Sequence, residues 1–254
     1  MGFLTFWRDL ISQWRYVGLI VLASFLLTFY WYQGYHFYFK KRYRRRYSSH
    51  PYFEWMAHGW QFGAAWVLLI FVPVIYIKLF LWRPLSDFGV CRGRWAIGLL
   101  YVIIACAVLT PGIISNARNR RFYREYPLVR ELYGRNRRHM VAWELTYLMY
   151  YIPFEFFFRG FIQMGMQPAV GVSLAICFQL LPSVLIHLNK PEEETLAAIG
   201  GAFLMGLCIA LTGSLVWPIL MHWYIGGLTD YYCWRNWQRE KQLDTGSTPP
   251  VMIP

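Results

Sequence analysis

Apolar runs of about 20 residues recur along the whole chain, and a run of that length crosses a hydrocarbon core of ~30 Å as a single helix. The pattern predicts seven spans, at about 16–33, 59–81, 95–115, 141–166, 169–188, 195–212 and 214–233. Inside lipid the backbone N–H and C=O groups must find partners within the segment, so the predicted fold class is all-α: a multi-span transmembrane helical bundle of about seven helices. Pro73 and Pro111 fall inside spans two and three, where neighbouring helices accommodate them. Span six carries Ala198, Ala202, Gly206 and Ala210 at four-residue spacing, a stripe that lets another backbone approach closely. No linker or internal repeat divides the chain. Residues 1–254 therefore read as one polytopic membrane domain with a disordered tail from about 243 to 254, where Thr245, Gly246, Ser247, Pro249 and Pro250 gather.

Composition sharpens this picture. The chain is 57% hydrophobic and 20% aromatic but only 15% charged, against roughly 25% charged in soluble domains. The first run is too long for a signal-peptide core and no small-residue cleavage site follows it, so it is expected to remain in the mature protein. MGFLTF has Phe6 where a myristoylation signal has Ser or Thr, and VMIP is not a prenylation box. Five cysteines, Cys91, Cys106, Cys177, Cys208 and Cys233, make no close pair of the kind a zinc or redox motif needs.

The net charge of +12 would suggest nucleic acid for a soluble chain, but here its distribution reads as topology, and no nucleic-acid partner is expected. One cluster runs from Lys40 to Arg46 and a second from Arg118 to Arg138. With Lys190, Arg235, Arg239 and Lys241 they put eighteen basic residues on one side of a seven-span chain, against five on the other. The positive-inside rule makes the richer side cytoplasmic and the protein a multi-pass protein of the cell membrane. These clusters, interleaved with Tyr43 and Tyr47, also suit anionic lipid headgroups as partners.

Ionisable residues within spans are costly and usually have a task. Glu144, Tyr151, Glu155 and Arg159 fall near one face of span four, because steps of four, seven and eleven residues nearly complete whole turns. Gln179, Ser183 and His187 repeat the pattern on span five, as do Ser214, His222 and Asp230 on span seven. Three polar stripes in lipid must face inward and hence one another. Taken from a turn near Pro168, a rise of ~1.5 Å per residue puts Glu155, His187 and His222 about 15 Å apart in depth, so straight helices would not bring them together. Tilt, a shifted boundary or a re-entrant loop is required. Read singly, Glu155 and Arg159 are an intrahelical ion pair and each histidine a ring hydrogen-bonded to a neighbour.

The segments PFEFFFRGF, PSVLIHLNKPEEE and SLVWPILMHWYIGG resemble the three signatures of the CAAX protease and bacteriocin-processing (CPBP, or Abi) family of intramembrane endopeptidases: EExxxRG, FxxxH, and HxxxN or HxxxD. The likeness covers about residues 141–230, with echoes in FGVCRGRW and YPL upstream. It implies hydrolysis of a peptide bond in a membrane-associated protein or peptide by a glutamate- and histidine-activated water, with no cofactor. A second histidine and an asparagine would form the oxyanion site. Arg159, His187 and His222 match directly and Glu155 matches the second glutamate. Phe154 replaces the first glutamate, Ser183 the phenylalanine of the second signature, and Gly226 the asparagine of the third.

The candidate catalytic set is therefore Glu155 as general base, His187 assisting, His222 polarising the carbonyl and Arg159 tuning the acid, with Asp230 as an orienter for His222. A zinc variant on Glu155, His187 and His222 ranks low, since no HExxH spacing is present and no metal is expected. The alternatives are a catalytically silent relative that binds a membrane protein or peptide, and a transporter whose buried charges line a path.

Overall fold

A computed structural model describes residues 7, 8 and 11–245. Phe6, the terminal VMIP and residues 246–254 of the expected tail lie outside the described residues. Among those described, every regular element is helical. Helix α1 (Trp14–Phe29) passes through a π-helical turn (Tyr30–Gly34) towards α2 (His36–Tyr47), which carries the first basic cluster. Helix α3 spans Phe53–Leu81 and α4 spans Trp95–Asn116. Short helices α5 (Arg120–Glu125) and α6 (Arg130–Tyr133) occupy the second basic loop. Then come α7 (Arg137–Glu155) with its π-helical continuation (Phe156–Met164), α8 (Gly165–Leu185), α9 (Glu192–Thr212) and α10 (Val216–Thr245).

Five helical stretches are long and apolar enough to cross a membrane, one of them the 49-residue run Arg137–Leu185. That run is two antiparallel arms. Gly171, at φ 77° and ψ 168°, breaks the helix in a conformation that side chains disfavour, and the chain reverses there. With α10 added, seven arms result, as the hydropathy pattern predicts. Their bounds differ: α10 starts later than expected and runs on through Leu243, Asp244 and Thr245, which are helical rather than tail.

The α7/α8 hairpin is the centre of the bundle. Phe157, Phe158 and Phe161 are buried against Leu19 of α1 and against Leu69 and Ile77 of α3. Helix α4 stays peripheral, with Leu100, Ile103 and Val108 each more than half exposed, the apolar outward face that suits lipid. It is tied to its neighbours by Tyr101 donating to the Leu204 carbonyl at 2.8 Å and by a 2.7 Å bond between Thr110 and Tyr224. The basic segments gather at one end of the bundle. Arg120 and Arg124 reach Glu240 of α10 at 2.7 and 3.3 Å, and Lys190 reaches Glu125 at 2.9 Å.

Candidate active site

Helix α7 starts at Asn136, whose side chain accepts from the His139 N–H at 3.0 Å and so caps the first turn. Near its far end Pro153 lacks an N–H and leaves the carbonyl four residues earlier, that of Met149, without its helical donor. The Trp66 indole N–H of α3 fills that place at 2.7 Å. The helix then widens into the π-helical segment Phe156–Met164, a form that recurs at functional sites. Its residues from Phe156 to Gln163 are all buried, so a carboxylate and a guanidinium are presented within packed protein.

The three polar stripes do converge, and the structure corrects the expected 15 Å spread in depth. Reversal occurs at Gly171 rather than Pro168, which leaves Glu155 and His187 each sixteen residues from the turn, at roughly 24 Å by helical rise. Helix α10, in turn, begins well below the end of the bundle. Leu215 lies against Gly160, where an added Cβ would come within 3.3 Å of Leu215 Cδ1 and 2.8 Å of the Phe88 carbonyl. The connection Leu85–Gly89 folds inward to that level, with the Leu215 N–H donating to Gly89 O at 2.9 Å. His222, seven residues further along, thus reaches roughly 27 Å, within about two residues' rise of the other two.

The His222 Nδ1 lies 2.5 Å from Glu155 Oε1, and Arg159 Nε lies 3.2 Å from Glu155 Oε2. Glu155 is fully buried and Arg159 almost so. The second oxygen of the acid meets the guanidinium as an ion pair without a hydrogen bond. Asp230, expected to orient His222, instead accepts from the Trp143 indole at 2.7 Å. Eight residues on one helix separate two side chains by ~12 Å along its axis, too far for a ring to bridge. His187 follows the end of α8, and its Nδ1 donates to the Ser183 carbonyl at 2.8 Å. A carbonyl only accepts, so His187 carries its proton on Nδ1 and leaves Nε2 basic. The same logic gives His222 an open Nε2, because its Nδ1–H donates to the carboxylate.

A cavity of about 280 Å³ is lined by both histidines together with Phe154, Arg159, Ser183 and Tyr151. Glu155 is not in its wall. The Phe154 ring, at the position of the family's first glutamate, stands edge-on to both imidazoles, with centroids 6.1 Å from His187 and 5.5 Å from His222. Tyr151 lies over His222 at 4.3 Å, and its hydroxyl fills the space that a side chain at Gly226 would take. Among the described residues no group of three or more His, Cys, Asp and Glu side chains is arranged to hold a metal ion.

The other end of the cavity uses residues the sequence did not single out: Tyr35, His36, Gln61, Tyr126 and Glu194, with Lys190. His36 Nδ1 bonds Gln61 at 2.8 Å, and the Tyr126 hydroxyl donates to Glu194 at 2.7 Å. Burial alone would lower Lys190, but Glu194, Tyr35 and Glu125 outweigh it and hold its proton affinity above the usual value. The PEEE run after Lys190 was the available signal for this end. His36 and Gln61 sit on helices with no local motif.

Residues 137–228 match a family model described as type II CAAX prenyl endopeptidase Rce1-like. The matched segment runs from the start of α7 into α10 and contains all four candidate catalytic residues. It bears out the resemblance to the CAAX protease group, a family of proteases acting on membrane-associated substrates. Comparison with curated proteins and with solved structures gives no match. Helices α1 to α6 lie outside the Rce1-like segment, yet Tyr35, His36 and Gln61 from α2, α3 and the link before α2 close its cavity.

Proposed function

We propose that the protein is an intramembrane endopeptidase that hydrolyses a peptide bond of a membrane-associated protein or peptide within this cavity. The observation that carries the reading is the 2.5 Å bond between His222 Nδ1 and the buried Glu155, with His187 on the wall of the same cavity. Glu155 acts through His222: it fixes the ring's tautomer and stabilises the imidazolium that forms when Nε2 takes a proton from water. The water oxygen attacks the carbonyl carbon, and the protonated ring then delivers its proton to the leaving nitrogen. His187, with its own basic Nε2, is the second ring available to that water. Arg159 sets a positive charge beside Glu155 by pairing with Oε2 at 3.2 Å.

Phe154 supports a second reading. An apolar ring set edge-on to both imidazoles fills the slot from which a carboxylate would address the water, as suits a silent relative that only binds a membrane peptide. Purified protein in lipid vesicles, offered a panel of membrane-anchored peptides with binding followed in parallel, tests the two. Turnover lost on His222→Asn with binding retained supports the endopeptidase. Binding with no wild-type turnover, and turnover gained in Phe154→Glu, supports the silent relative.

A further inference from the structure

Behind the Met205 and Ala202 wall of the cavity, three buried side chains address one turn of α9. The Gln163 Nε2 donates to the Gly206 carbonyl at 2.8 Å, Gln179 Nε2 donates to the Ala202 carbonyl at 3.0 Å, and Arg159 Nη2 points to the Met205 sulfur at 3.6 Å. Both glutamines are fully buried and Arg159 is 1% exposed. Arg159 Nη1, Gln163 Oε1 and Gln179 Oε1 each find no hydrogen-bond partner among the described residues; Arg159 Nε and Glu155 Oε2 find none either, but face each other as an ion pair at 3.2 Å. Leaving such atoms unsatisfied in a membrane interior is costly, most of all for the charged group. Two of the groups are close together. A single point, the Cβ site of residue 206, lies 3.0 Å from both Gln163 Oε1 and Gln179 Nε2.

One donor and two acceptors match one molecule. A water accepts from Arg159 Nη1 and donates its two hydrogens to the two glutamine oxygens, three bonds being the usual complement of a buried water. We propose that Arg159, Gln163 and Gln179 hold an ordered water at this turn and that it is the store from which the neighbouring cavity is supplied. Lipid surrounds the bundle, so a hydrolytic site within it needs a polar route for its second substrate. The water site stands on the side-chain geometry alone, whereas the supply role rests on the endopeptidase reading. Arg159 lines the cavity and contacts Glu155 on one side and the water on the other, which joins the two.

Radiolytic hydroxyl-radical footprinting of the full chain in lipid reads bound water through oxidation of adjacent side chains. Met205, only 4% exposed, is the built-in reporter. Its oxidation is expected in the wild type and should fall several-fold in Gln163→Leu and in Gln179→Leu. Thermal unfolding identifies any variant that fails to fold, and Gly206→Ala, which crowds the same turn while keeping every polar group, then serves in its place. Turnover should drop about tenfold in kcat at unchanged KM in the same variants. Met205 left unoxidised in the wild type, or oxidised equally in folded variants, overturns the water site. Unchanged kcat in a variant that has lost Met205 labelling overturns the supply role. Absence of wild-type turnover overturns the endopeptidase reading and the supply role with it, while the labelling still decides the site.

Discussion

Replacing Glu155 with Gln removes one charge from a triad in which one carboxylate oxygen faces His222 and the other faces Arg159. In one rotamer the amide oxygen accepts from His222 Nδ1, but the NH2 then faces Arg159 Nε, donor against donor, at the 3.2 Å that now separates the ion pair. In the other rotamer the oxygen satisfies Arg159 and the NH2 faces His222. The ring must then carry its proton on Nε2, the tautomer that cannot accept one from water. Either way the imidazolium loses its counter-charge. Loss of an orienting carboxylate in such a dyad costs ~10⁴ in kcat where the geometry is otherwise intact. The variant also strands a guanidinium that is 1% exposed, and breaking a buried pair from one side costs about 3–5 kcal/mol. Cleavage of a membrane-anchored peptide by purified protein in lipid, with dye-monitored unfolding and peptide binding alongside, separates the two effects. The expected outcome is kcat reduced by ~10³–10⁴ with peptide affinity retained and thermal stability lowered. The double variant Glu155→Gln/Arg159→Met should regain much of the stability, since neither charge of the pair is left buried alone, while kcat stays at least ~10² down. Turnover within tenfold of wild type in Glu155→Gln would refute the assigned role.

Gly206→Leu should lower folded yield, because a Cβ there already meets Gln163, Gln179 and Ile176 at 3.0, 3.0 and 3.2 Å and a larger side chain would part α9 from the hairpin; unchanged yield and unfolding temperature would count against that packing. Single cysteines placed beside Lys40 and Arg137 should be shielded from a membrane-impermeant reagent in intact cells, given the basic residues gathered at that end of the bundle; labelling from outside would reverse the orientation.

Much of this was legible in the sequence because it is local. Span number and helix type follow from the length of apolar runs, and a missing hydration shell leaves the backbone no alternative to the helix. The stripe on α9 predicted a close helix contact, which Gly206 makes with the hairpin. Four-residue spacing placed Glu155 beside Arg159 without reference to the rest of the chain. The motif segments pointed to the Rce1-like region, since signatures of that kind are carried by a few consecutive residues.

Depth and partnership were decided by tertiary structure. Moving the hairpin turn three residues, from Pro168 to Gly171, lengthens one arm as it shortens the other, and the level of His187 against Glu155 depends on that difference. The starting depth of α10 is set by an inward loop around Phe88, over a hundred residues away in sequence, packing on Gly160. His222 therefore pairs with Glu155 of another helix, while its helix-mate Asp230 turns to Trp143. Periodicity reports which face of a helix is polar but not how far along its axis a neighbour begins. An offset of ~1.5 Å per residue, summed over a few residues, is the difference between a hydrogen bond and none.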